Sequence, residues 1–127
     1  MDLTDIKPQG REVEIVTPTG QHTGVVINLR APDAKEIKAF ERKIEDAVLR
    51  NRGKLPTKER RTFKVDRVIA GIEGWSFKEG AMEISGEKEP EFSERKMRDL
   101  LKIEWIRNFL DSEMGDEATF FENLGTD

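Results

Sequence analysis

Cysteine is absent from the 127-residue sequence, and histidine occurs once, as His22. Without thiols there are no disulfides, no thiolate metal sites and no cysteine nucleophile, and a single histidine cannot build a histidine-based zinc site. Tyrosine is also missing and there are only two tryptophans, which leaves few rings to stack on bases. No apolar run approaches the ~20 residues needed to cross a bilayer. The opening Met1-Asp2-Leu3-Thr4-Asp5 is acidic, where a signal peptide starts basic. Together these absences predict a cytosolic protein with no membrane partner, no metal and no cofactor.

Charge, by contrast, is abundant: 38% of residues are charged, yet the net charge is only -4. Leu, Ile, Val and Phe together number 32, enough for one thin core, and the length suits a single domain spanning 1–127. The charges are not evenly spread. Residues 50–67 hold eight basic and two acidic groups, whereas residues 79–127 hold six basic and fourteen acidic ones. Opposed poles of this kind steer encounters with partners or with copies of the same chain, although charged helix faces are most often simply solvated.

Val13, Ile15 and Thr17 alternate with Glu12, Glu14 and Val16, and Val25, Ile27 and Leu29 alternate with Val26, Asn28 and Arg30. This period of two predicts two strands, joined through Pro18-Thr19-Gly20-Gln21 into a hairpin at about 11–30, with a bulge at Gly24. From Asp33 the period lengthens. Asp33 and Glu36 have capping-box spacing, Ile37, Phe40, Ile44, Ala47 and Val48 share one helical face, and Asn51-Arg52-Gly53 ends the helix. A second helix is predicted from Thr57, or from Thr62 if the cations of its first turns oppose the dipole, with Val65, Val68, Ile69 and Ile72 as its stripe up to Gly74. After a connector containing a short strand at Met82-Glu83-Ile84, Ser93 caps a third helix carrying Met97, Leu100, Leu101, Trp105, Ile106, Phe109 and Leu110 as far as Met114-Gly115. Asp116 then caps a short last helix with Phe120, Phe121 and Leu124. The fold class expected is α+β: a β-hairpin packed on three to four helices (about 33–124), with Ile37, Phe40, Ile44, Val65, Val68, Ile69, Ile72, Leu101 and Trp105 in the core.

Catalytic equipment is scarce. His22 lies beside the hairpin turn with no acidic neighbour in sequence to orient it, so no serine or threonine has a general base. The glycines at 71, 74 and 80 do not have dinucleotide-loop spacing, and no phosphate-binding loop motif occurs. Asp111 to Glu122 has the length of a calcium loop, but Gly115 falls where a ligand is wanted and Asp116 where the turn needs glycine. Glu87, Glu89 and Glu91 lie in a polar loop with nothing to separate their pKa values. The reading is non-enzymatic.

Two binding classes remain. Arg50, Arg52, Lys54, Lys58, Arg60, Arg61, Lys64 and Arg67 form a basic band that would suit a small regulatory or architectural nucleic-acid-binding protein. The isoelectric point of about 5.2 and the presence of Phe63 alone among the cations weigh against that alternative. The other class rests on aromatic order: Ile69-Ala70-Gly71-Ile72-Glu73-Gly74-Trp75, then Phe77, Phe92-Ser93-Glu94, Leu100-Leu101, Ile103-Glu104-Trp105-Ile106 and Phe120-Phe121. Over about residues 62–121 this order resembles the tail assembly chaperones of long-tailed bacteriophages. The same residues also serve as ordinary helical core. The resemblance implies a protein of the host cytoplasm, absent from the mature virion, that binds the tail tape measure protein and the tail tube subunit before assembly.

Candidate partner-binding residues are Arg60, Arg61 and Lys64 of the basic band and Phe120, Phe121 and Leu124 near the C-terminal end. Successive helical side chains stand about 100° apart, so Phe120 and Phe121 cannot both enter one core and one ring is left to meet a client. Open hairpin edges and opposed poles predict weak, salt-sensitive homo-oligomers.

Overall fold

The computed structural model describes residues 10–53 and 57–115, and for 57–59 and 61 the backbone alone. Among these residues the order is β1 (Arg11–Val16), β2 (His22–Leu29), α1 (Lys35–Arg50), α2 (Thr57–Ala70), β3 (Ile72–Phe77), α3 (Glu94–Leu100) and α4 (Glu104–Met114). The fold is α+β, with the hairpin and a helical part as the sequence implies. The predicted terminal helix carrying Phe120, Phe121 and Leu124 lies outside the described residues.

The sheet has three antiparallel strands in the order β1-β2-β3. The hairpin reverses at Thr17–Gly20, where the Gly20 N–H donates to the Thr17 carbonyl at 2.8 Å and the Gln21 N–H to Thr17 Oγ1 at 2.9 Å. Its predicted irregularity is present: Glu14 pairs with Val26 but Val16 pairs with His22, so Ile15 alone faces Thr23 to Val25. Gly24 sits in this bulge at φ +76, and a Cβ there would stand 2.8 Å from Ala81 Cα. Thr23 is buried and donates its hydroxyl to the Ile15 carbonyl at 2.7 Å.

Residues 72–77 correct the sequence reading. Ile72 is not the last turn of a helix but the first residue of a strand, because α2 ends at Ala70 and Gly71 carries the chain into pairing with β2. The stripe Val65, Val68, Ile69, Ile72 has helical spacing, yet Ile72, Trp75 and Phe77 also serve a strand. A bulge at Glu73 (Asn28 pairs with Gly74, Leu29 with Ile72) puts both Ile72 and Trp75 against the core. Strand β2 is therefore central, and the outer edges belong to β1 and β3.

The third helix is likewise two. Met97 and Leu101 are four residues apart, as are Ile106 and Leu110, but Leu101 and Ile106 are five apart, which on one straight helix places them about 140° apart. The break at Leu101–Ile103 realigns the pairs, and all four side chains are buried in one cluster. Ser93 caps α3 as expected, its hydroxyl accepting the Lys96 N–H at 3.1 Å. Met82–Ile84 is not a strand; only an isolated bridge joins Ile84 to Glu87.

Helix α1 starts at Lys35 with Ala34 at its cap and no side-chain cap bond, so Asp33 does not cap it. Ala31 to Ala34 close a turn instead (Ala34 N–H to Ala31 carbonyl, 3.0 Å), and Glu36 reaches Arg30 at 3.5 Å. The helix ends as predicted, with Arg52 and Gly53 at positive φ and the Gly53 N–H donating to the Val48 carbonyl at 2.8 Å.

Two apolar clusters hold the molecule. The larger joins the inner sheet face (Val13, Ile15, Val25, Ile27, Leu29) to Val68, Ile72, Trp75, Met97, Leu101, Ile106 and Leu110. The smaller lies between α1 and α2: Phe40, Ile44, Ala47, Val48 and Phe63, with Phe40 and Phe63 edge to face at 6.3 Å. Of the expected core, Phe40, Ile44, Val68, Ile72 and Leu101 are buried, while Ile37, Val65, Ile69 and Trp105 are half-buried. Each buried aliphatic or aromatic side chain stabilises the fold by about 1.5–3 kcal/mol.

Candidate functional site

The sequence-predicted partner residues are not brought to one place among the described residues. Phe120, Phe121 and Leu124 lie outside them. Arg60 and Lys64 stand on α2, half-buried and exposed respectively, and of Arg61 only the helical backbone is described. The basic band is split, because Arg67 turns inward to pair with Asp111 of α4. That pair ties α2 to α4, so Asp111 serves packing.

What the fold does bring together is a cleft of about 360 Å³ where the ends of β1 and β2 meet α1, α2 and α4. Leu29, Pro32, Ile37, Phe40 and Met114 supply its apolar surface. Gly71 forms part of the wall, and its missing side chain makes room for Met114: a Cβ at 71 would stand 2.8 Å from the Met114 methyl. The Arg30 N–H donates to the Gly71 carbonyl at 2.8 Å, which fixes the exit of β2 against the end of α2.

The rim is charged. Arg11, Arg30 and Arg67 face Glu41 and Glu113. Arg11 donates to the Glu113 carbonyl and to its carboxylate at 3.1 Å, joining β1 to α4. Arg30 is less well satisfied. Its partner Glu36 stands at 3.5 Å, and its buried Nε has no hydrogen-bond acceptor. An apolar floor beside guanidinium groups suits an apolar side chain flanked by carboxylates, because carboxylates pair with guanidinium in fork geometry.

A second, more polar hollow of about 460 Å³ lies between the connector and α3, with Ser85, Glu87, Lys96 and Asp99 on its walls. Lys96 there is taken up by the Glu91 carbonyl at 3.3 Å and Glu87 at 3.7 Å. At the far end of the sheet, Glu14 accepts from Lys78 Nζ at 2.5 Å and from the Gly24 N–H at 3.1 Å, and faces His22 Nδ1 at 3.2 Å. The Lys78 hydrogen bond, assisted by Gly24, holds the Glu14 carboxyl below the ordinary glutamate range. His22 opens β2, exposed at the end of the turn. Among the described residues no three His, Asp or Glu side chains are placed to hold a metal ion, and no helix is long and apolar enough to cross a membrane.

Sequence reasoning missed the cleft. Its arginines come from β1, the end of β2 and α2, and no local pattern links positions so far apart; of the three, Arg67 alone belongs to the basic band. Compared with protein-family models, with curated proteins and with solved structures, the chain shows no match.

Proposed function

We propose that this chain is a non-enzymatic tail assembly chaperone of a long-tailed bacteriophage, acting in the host cytoplasm and absent from the mature virion. In this reading it binds the tail tape measure protein, and the tail tube subunit, and keeps them soluble until they assemble. The observation that carries the reading is the convergence of the residues on which the resemblance rests: Trp75, Leu101 and Ile106 enter one core, with Leu100, Trp105 and Phe92 packed against it. Their order in the sequence is thus the order of a fold, with the connector between β3 and α3 held over Trp75 by the indole bond to Pro90.

The surface fits such work. A helical client needs an apolar groove and a charged, soluble carrier from which it can be released, and the cleft at Leu29, Ile37 and Phe40 is such a groove. The test is co-expression with a tail tape measure protein, comparing that client's soluble yield with and without this chain. Higher soluble yield and co-purification are expected. An unchanged yield, or DNA or RNA binding that weakens steeply between two salt concentrations, would favour the nucleic-acid alternative at the basic band.

A further inference from the structure

We propose that the cleft beside Arg30 is the docking site of the chain's own residues 116–127. Helix α4 ends on the cleft itself: Glu113 and Met114 line it, and the ideal Cβ position of Gly115 stands 3.8 Å from Arg67 Nη2. The residues that follow therefore leave from the rim. Twelve residues can extend as far as ~40 Å, so the cleft is well within reach.

Composition selects this occupant. Residues 116–127 carry four carboxylates (Asp116, Glu117, Glu122, Asp127), no basic group, and three large apolar side chains, Phe120, Phe121 and Leu124. The cleft presents the complement in Arg30, whose neighbours Arg11 and Arg67 are paired with Glu113 and Asp111, over the apolar surface of Leu29, Ile37, Phe40 and Met114. Arg30 is the natural anchor, since its guanidinium is partly exposed and holds Glu36 only at 3.5 Å. A phenylalanine on the floor and a carboxylate on Arg30 satisfy both features at once, and the neighbouring phenylalanine is left to face away. In the free chain the segment fills the groove that the proposed function gives to the client, so a client would have to displace it.

The absence of cysteine makes disulfide trapping in the full-length chain direct. Glu41 on the cleft rim and Asn123 in the segment are both changed to cysteine. The control pairs Asn123→Cys with Glu79→Cys, next to Lys78, whose backbone N–H bonds Gly24 at the opposite end of the sheet. Position 79 lies farther than position 41 from the point where the segment leaves, so the deciding comparison is the 41–123 rate with and without Arg30→Glu. Docking raises the local concentration at the cleft, and the 41–123 disulfide should form within one chain roughly tenfold faster with Arg30 than with Arg30→Glu, whereas the 79–123 rate should not fall on that substitution. Thermal melts confirm that each variant is folded. A 41–123 rate unchanged by Arg30→Glu, or disulfide-linked dimers in place of the intrachain product, would overturn the proposal.

Discussion

Trp75 donates its indole N–H to the carbonyl of Pro90 at 2.8 Å. One buried ring thus fixes the third strand to a connector with almost no regular structure, and Phe92 and Phe77 pack edge-on against it at 5.1 and 6.1 Å. Replacing Trp75 by alanine should cost ~3–5 kcal/mol, the range for emptying a large aromatic site. Trp105 is only half-buried, so Trp105→Ala should cost ~1–3 kcal/mol. Denaturant unfolding of both variants gives the order, and a Trp105 variant less stable than the Trp75 one would contradict this placement of the core.

Gly24 and Gly20 separate backbone strain from crowding. Both have positive φ, but a Cβ at 24 would meet Ala81 at 2.8 Å while nothing lies within 4 Å at 20. Gly20→Ala should therefore cost ~1–2 kcal/mol, the penalty for a side chain in the left-handed region. Gly24→Ala adds the steric clash and should fall clearly below it in melting temperature.

Glu14 gives the fold a pH dependence of known sign. Its carboxyl is held below the ordinary glutamate range by Lys78 and Gly24, so its contribution to stability is present above the unfolded-state pKa of ~4.3 and is lost as pH falls through the lower folded value. Glu14→Gln should lower the melting temperature at neutral pH, and the gap from the native chain should close in acid. Because its main partner Lys78 is largely exposed, the gap should also shrink in high salt. A gap that widens on acidification would reverse the assignment.

The sheet leaves its outer edges to β1 and β3, and the +6 band at 50–67 opposes the -8 stretch at 79–127. These features together predict weak self-association that salt weakens further. Light scattering at about millimolar concentration resolves even ~4 kcal/mol of association. A strict monomer at low salt would remove both arguments, and an oligomer indifferent to salt would remove the one from charge.

The hairpin is legible because Val13 and Ile15 alternate with Glu12 and Glu14 and a turn sequence follows, although Val26 between Val25 and Ile27 is itself apolar and buried, and α1 is legible because Phe40, Ile44, Ala47 and Val48 share a face. Strand β3 was hidden by coincidence: Ile72 continues the helical spacing of Val65, Val68 and Ile69, and only Gly71 marks the switch. No glycine or proline marks the break between α3 and α4. It follows from the five-residue step from Leu101 to Ile106, a tertiary demand that overrides an unbroken helical pattern. The cleft is a product of topology alone, since Arg11, Arg30 and Arg67 meet only once β1, β2 and α2 are assembled.

Sedimentation of this chain with a tail tape measure protein measures the proposed chaperone contact directly. An equimolar mixture should move as one complex that neither protein forms alone, and it should do so without added nucleic acid. Two independent boundaries at every concentration where both proteins are soluble would contradict the chaperone account.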